Sequence, residues 1–222
     1  MTQRLYRQLN EQDEHVFVFD NNAPQPFIPS WKRSSVNLYW TGAFSACVKE
    51  MQEQGFSHLW FLNNDILFTD PTQIFDRVAA RHRWITRKTG KIGIYSPAVT
   101  HNPYHAQMIC RKDTQFAHVA YIDGIAPLVS LAYWQETGGL DAEDNVYGYG
   151  VDVWLSLRAG QFGWHVVVDH QVVVRHTYHS TASQVDGYLQ QAGKAEHLYL
   201  TKRMGSNYRQ QLKKMAQEVQ YF

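Results

Sequence analysis

With two cysteines in 222 residues, Cys47 and Cys110, the chain has no disulfide framework and no metal-type or redox-type cysteine spacing. That scarcity suits a reducing compartment, and a cytoplasmic location is the expectation. A dominant charge sign is missing as well. Lys plus Arg number 21 against 20 Asp plus Glu, so there is no net field to draw nucleic acid or an anionic membrane, and neither is expected as a partner. Apolar runs fall far short of the roughly 20 residues that cross a bilayer, so no transmembrane segment is expected. The N-terminus is polar and charged and lacks a secretory leader pattern. Internal repeats and low-complexity tracts are absent. What remains is the balance of a folded domain, long enough for one α/β core and short for two. Any anion must therefore be held by a few specific residues.

The run at residues 58–70, His-Leu-Trp-Phe-Leu-Asn-Asn-Asp-Ile-Leu-Phe-Thr-Asp, carries the most chemistry. Residues 59–62 have the profile of an interior strand, and Asn63, Asn64 and Asp65 break it with three oxygen-bearing side chains. Ligands of open α/β sheets sit beyond the carboxyl ends of strands, where a carboxylate can hold a divalent cation against a phosphate. The plainer explanation is that Asn and Asp satisfy the backbone groups of a turn.

Around that run the pattern predicts a helix over 2–11 and a buried strand over 15–19 that ends at Asp20-Asn21-Asn22. A proline-containing loop follows over 21–35, then a helix over 41–54 with Phe44, Cys47, Val48 and Met51 on one face and Gly55 at its end. Asp70 as N-cap, Pro71 at the first position and Gln73 at the third predict a helix over 71–82. Strands are expected at 92–95, 107–110, 116–122, 165–168 and 172–175, and short helices at 125–134 and 151–160. Two further helices, over 182–200 and 206–220, form a C-terminal extension to a domain spanning 1–181. The aromatic content, 14%, suits a sugar-binding cleft and equally an ordinary core.

Residues 138–158 read Gly-Gly-Leu-Asp-Ala-Glu-Asp-Asn-Val-Tyr-Gly-Tyr-Gly-Val-Asp-Val-Trp-Leu-Ser-Leu-Arg, followed by two Val-rich segments and Arg175-His176. Together with Asn63-Asn64-Asp65 this resembles the family 2 type of GT-A glycosyltransferase, an α/β, three-layer nucleotide-diphospho-sugar transferase fold with a mixed, mainly parallel central sheet. The resemblance implies a donor such as a UDP-, GDP- or dTDP-sugar, a glycan or other hydroxyl acceptor, and Mn²⁺ or Mg²⁺. It implies Asp20, Asn63, Asn64 and Asp65 as nucleotide-sugar contacts, Asp65 and His176 at the metal, and Asp152 as general base of an inverting reaction. It makes Gly138, Gly139, Tyr147 and Tyr149 an acceptor loop. Asp152 would also serve as the N-cap of 151–160.

Two departures stand out. Val151 replaces the family's usual Glu, and Trp154 its second Asp. The resemblance begins at the first helix, without the strand that opens such domains. A sheet edge beside 15–19 is therefore expected to be filled by residues 182–222 or by self-association. A rival reading is a non-catalytic, GT-A-derived sugar-binding or assembly module. A weaker one is a histidine-rich metal protein built on His176 and His179, for which no third ligand lies nearby in sequence.

Overall fold

The computed structural model describes residues 1–9, 15–142, 144–178 and 185–222. Its axis is β8, His165–His176, a Val-rich strand buried from Val166 to His170 and again at Val172 and Val174. Strand β5, Ile92–Val99, is buried at all eight positions and runs parallel to β8. Two short strands, β3 (His58–Trp60) and β7 (Leu128–Ser130), extend the sheet on one side, with β7 antiparallel to both β5 and β3. On the other side β6 (Phe116–His118) runs antiparallel to β8 and carries β9 (Gln220–Tyr221) on its far edge. Strand β4 (Ile66–Phe68) lies antiparallel to the second half of β8. The sheet is thus mixed, but the expectation of a mainly parallel one is corrected, since β5 and β8 are its one parallel pair among the described residues. The reason is non-local pairing: β7 inserts antiparallel between β3 and β5, and β8 takes β4 and β6 as antiparallel neighbours from distant parts of the chain.

Strand β1 (Phe19–Asp20) stands apart in a two-stranded parallel sheet with β2 (Lys32–Arg33), which lies within the expected 21–35 loop. The helices are α1 (Thr2–Leu9), α2 (Tyr39–Glu53), α3 (Ile74–Thr89), α4 (Leu131–Thr137) and α5 (Val151–Gln161). They bury Phe44, Val48, Ile74, Val78, Ile85, Tyr133 and Leu155 in one core with the sheet's Val and Ile residues. Helices α6 (Tyr188–Met204) and α7 (Tyr208–Met215) close a small second core with Val151. Arg203 stacks 3.6 Å over the Tyr199 ring and pairs with Asp141. The C-terminal segment therefore packs on α5 and the loop before it, while β9 pairs with β6. Among the described residues, none of it pairs with β1, whose strand partner is β2.

Several expected boundaries move for identifiable reasons. Helix α3 begins at Ile74, not residue 71, because Asp70 accepts from Thr72 N in a local turn (3.0 Å) and pairs with Arg77, and Gln73 takes a left-handed φ of 46°. The expected helix over 125–134 opens instead with β7, and Ser130 starts α4 by accepting from Tyr133 N. A single 3₁₀ turn, Ala106–Met108, stands where a strand over 107–110 was expected. The two expected strands over 165–168 and 172–175 are one, continuous through Asp169, His170 and Gln171.

Asp169 is fully buried at that join. It accepts from Arg81 Nε and Nη2 (2.9 Å each), Tyr95 Oη (2.8 Å) and Gln171 N (2.9 Å). The pairing register shifts here between Pro97 and Ala98 of β5, the kind of irregularity that admits proline to a strand. Removing one partner of a buried ion pair leaves the other charge uncompensated. Arg81→Ala is therefore expected to lower unfolding free energy by about 3–5 kcal/mol in urea titration; a loss within experimental error would show that Tyr95 and water suffice to hold Asp169.

Candidate active-site cleft

The β4–β8 register places Ile66 opposite His176, and Thr177 N donates to Asp65 O at 3.0 Å. One residue beyond the paired segment, Asp65 must therefore lie against the end of β8. Its Oδ1 stands 3.1 Å from His176 Nε2. Asn63 continues the ladder through its N–H to Ile125 O (2.9 Å), and the exposed Asn64 side chain turns to Thr2 of α1 (3.0 Å). The Tyr178 ring packs edge-on against His176, with centroids 4.1 Å apart.

Asp152 lies in the first turn of α5. The cap position belongs to Gly150, at φ 79°, which corrects the expectation that Asp152 is the N-cap. Its carboxylate instead reaches across the fold, Oδ2 accepting from Gly124 N (2.7 Å) and Oδ1 from Val153 N (2.8 Å). Burial pushes its pKa up, well above the usual carboxylate range, and the Asp123 carboxylate adds to the shift; the two backbone N–H groups oppose it without cancelling it.

Asp123 and Gly124 are site residues that the sequence reading missed. The available signal was an Asp-Gly pair closing the strand-like run 116–122, the same placement as Asp20 and Asp65. Buried Asn102 holds Asp123 through Nδ2 (3.2 Å), while its Oδ1 accepts from Tyr104 N and His105 N. Gly124 is required by contact. A Cβ there would fall 2.7 Å from Trp40 Cζ2 and 3.0 Å from Asp152 Cβ. Trp40 also donates from Nε1 to Gly124 O (3.0 Å), and its other side presses on Gly148, where a Cβ would come within 2.8 Å. The Trp40 ring is thus wedged between the Asp-Gly turn and the glycine-rich loop.

One cleft of about 1780 Å³ gathers Asp20, Asn63, Asn64, Asp65, His176, Asp152, Tyr147 and Tyr149, together with Asp123. Asp20 is a buried member whose carboxylate accepts from Ala23 N (2.8 Å), Phe27 N (3.2 Å) and the Arg33 guanidinium. Burial alone would raise its pKa, but those donors together hold it below the usual range. Gly138 and Gly139 are outside the lining and serve α4 instead. Gly138 is its left-handed C-cap, and Gly139 N returns to Trp134 O (2.8 Å). His179 lies outside the described residues. Among the described residues no group of three His, Cys, Asp or Glu side chains converges on a cation position, and no helix is long and apolar enough to cross a membrane.

No protein-family model matches the chain. The uncharacterised proteins Rv1525 of Mycobacterium tuberculosis and Mb1552 of Mycobacterium bovis are each 23% identical to it over 187 residues, 82% of this chain and 71% of theirs. Among solved structures, GalNAc-T7 with UDP, GalNAc and Mn²⁺ superposes with a TM-score of 0.51 at 12% identity. The fold is GT-A-like. The match covers 84% of this chain and 44% of GalNAc-T7, so the chain spans less than half of that neighbour's length.

Overpacking at Gly124 tests the wedge. Gly124→Ala is expected to destabilise the protein by about 1–3 kcal/mol in thermal or urea unfolding, and Trp40→Phe in the same chain should recover part of the loss. An equal loss from Gly124→Ala in the Trp40→Phe background would show that the tryptophan ring is not what excludes the methyl group.

Proposed function

We propose that this chain transfers a sugar from a nucleotide-sugar donor to an acceptor hydroxyl with inversion at the sugar carbon. The observation that carries the reading is the meeting of the Asp65–His176 pair with a desolvated Asp152 in one cleft of a GT-A-like fold. In the reaction the bond from the sugar carbon to the diphosphate oxygen breaks, and a bond to the acceptor oxygen forms. The nucleoside diphosphate departs, and the acceptor's proton passes to Asp152. A carboxylate with a raised pKa is a better base for a hydroxyl than an ordinary one, because its proton affinity lies nearer the working pH.

Asp65 and His176 fit one side of a Mn²⁺ or Mg²⁺ site. Their 3.1 Å separation is close to the spacing of about 3 Å between adjacent ligands on a small octahedral ion with bonds of about 2.1 Å. Such an ion, when bound with the donor, neutralises charge on the departing diphosphate. Two protein ligands make a poor cage alone, so Asp65 and His176 would hold the ion only together with the donor's phosphates. Asp20 takes an indirect part. Its oxygens are committed to Ala23, Phe27 and Arg33, so it fixes the 21–33 loop as the wall against which the nucleoside lies, as a UDP-, GDP- or dTDP-sugar.

The second reading, a GT-A-derived binding or assembly module without turnover, draws support from Val151 and Trp154, where the resembling family has acids. Turnover separates the two. Titration with UDP, GDP and dTDP, each with and without Mn²⁺, is expected to find one nucleotide whose binding needs the metal and falls about 10–100-fold in Asp65→Ala. Tight Mn²⁺ binding without nucleotide, unchanged by Asp65→Ala, would overturn the metal assignment. Donor binding without transfer to any hydroxyl acceptor would favour the module.

Asp152→Asn keeps one of the two backbone hydrogen bonds and is expected to lower turnover about 10²–10⁴-fold while leaving donor affinity unchanged. Since the base acts only when ionised, and its pKa is raised, turnover should fall as pH drops through a value above the ordinary carboxylate range. Asp123→Asn removes the neighbouring charge and should move that limb to lower pH. A limb at the same pH in both proteins would mean that Asp123 does not act on Asp152.

A further inference from the structure

Three tyrosines from three separate elements converge at the cleft. Tyr39 opens α2, Tyr147 lies in the glycine-rich loop, and Tyr188 opens α6. Ring centroids are 5.0 Å apart for Tyr39 and Tyr147, 5.5 Å for Tyr147 and Tyr188, and 6.2 Å for Tyr39 and Tyr188, the last pair stacked. All three are half-buried, so part of each ring remains open to the cleft.

Their positions are built. Tyr39 has a left-handed φ of 54°, a conformation that a bulky side chain adopts only where its surroundings impose it. Asn37 Oδ1 accepts from Tyr39 N (2.8 Å), Asn21 Nδ2 donates to Tyr39 O (3.1 Å) and to Asn37 Oδ1 (3.1 Å), and Asn21 Oδ1 accepts from Leu38 N (2.8 Å). Tyr147 donates from its hydroxyl to Gln191 Oε1 of α6 (3.0 Å). Two turns of helix beyond Tyr188, α6 also brings a carboxyl group into the cleft. Glu196 packs directly on the loop before Asp152, so that a Cβ on Gly150 would lie 3.2 Å from Glu196 Cγ. Burial raises its pKa, and its charge in turn acts on Asp152.

Aromatic surface left partly exposed at the cleft and bordered by an amide and carboxyl groups matches one acceptor class better than others. A pyranose ring offers an apolar C–H face to an aromatic surface and hydroxyls around its rim to polar groups, whereas an aliphatic alcohol has no use for the carboxyl groups. We propose that Tyr39, Tyr147 and Tyr188, with Glu196, form an acceptor subsite that takes a pyranose ring, so that the chain glycosylates a sugar and α6 is part of the active site. This rests on the transfer reading for its meaning, but the binding itself can be measured without any donor.

The test uses the full chain with methyl glucoside, galactoside and mannoside, cellobiose and maltose, and, as competing classes, farnesol and a serine-containing peptide. Saturation-transfer NMR is expected to show at least one glycoside bound, with ring C–H protons saturated most strongly. Tyr147→Ala and Tyr188→Leu should each weaken that binding about tenfold, the loss expected of one well-placed aromatic contact. Glu196→Gln should weaken it as well, and in every variant nucleoside diphosphate affinity should stay within about twofold of the parent. Binding of farnesol or the peptide with no glycoside bound overturns the proposal, as does glycoside binding unchanged in the Tyr147→Ala/Tyr188→Leu double variant. Saturation reads only which face of the glycoside is bound, so if a variant fails to fold, the Tyr39, Tyr147 and Tyr188 ring signals of the parent chain are followed on adding the glycoside: their shift or broadening locates the site, and unchanged signals overturn the proposal. Glycoside binding without nucleotide binding would refute the transferase reading and keep the subsite; nucleotide binding without glycoside binding would do the reverse.

Discussion

The antiparallel pairing of β4 with the second half of β8 is the constraint on which the cleft depends. It sets Ile66 against His176 and brings Thr177 N to Asp65 O, so the carboxylate and the imidazole meet because two backbones are in register. That register is guarded further along the strand. Where β8 changes its pairing with β5, Asp169 is buried and anchored by Arg81 and Tyr95. A slip of one residue would turn His176 to the opposite face and would also expel Asp169 from its donors. The site is therefore tied to the core through a buried charge further back along the same strand.

Three aspartates stand at the ends of strand-like runs, and their surroundings give them different chemistry. Asp20 accepts from two backbone N–H groups and a guanidinium, which stabilise its charge. Asp65 shares its oxygen with an imidazole at the mouth of the cleft. Asp123 meets Asp152, itself at the start of α5, in a partly desolvated space where neither is neutralised by a cation among the described contacts, and Asp152 holds its proton more firmly as a result. Residue type alone says little about such a set. The number of donors aimed at each carboxylate decides how firmly its charge is held.

Much of this was legible in sequence where a strong local pattern agreed with tertiary demand. The helix spacing at Phe44, Cys47, Val48 and Met51 and the Asn-Asn-Asp break reappear in the fold, whereas the run at 59–62, expected as an interior strand, supplies only the half-buried edge strand β3. The fold class was legible too, through motifs placed in the right order along the chain. Failures came where non-local partners decided the outcome. Residues 128–130, expected within a helix over 125–134, are captured between β3 and β5. Pro71 and Asp70 carry a convincing helix start, yet Asp70 spends its side chain on a turn and on Arg77. Strand direction depends on which distant segments pair, which apolar periodicity does not encode. Asp123 was passed over because the partners that make it a site residue, Asn102 and Asp152, are distant in sequence.

The Trp40 wedge has a consequence for how this sequence can change over time. The indole fills the space that side chains at 124 and 148 would need, and the backbone at 148 has a positive φ of 99° besides. Positions 40 and 124 therefore share one volume, and the ring must shrink before Gly124 can gain a methyl group, whereas Gly148 is held to glycine by its backbone and by Trp40 Cβ whatever the ring. Among distant relatives that keep the cleft, position 148 should stay glycine while substitutions at 40 and 124 appear together, a linked pair whose members lie far apart along the chain.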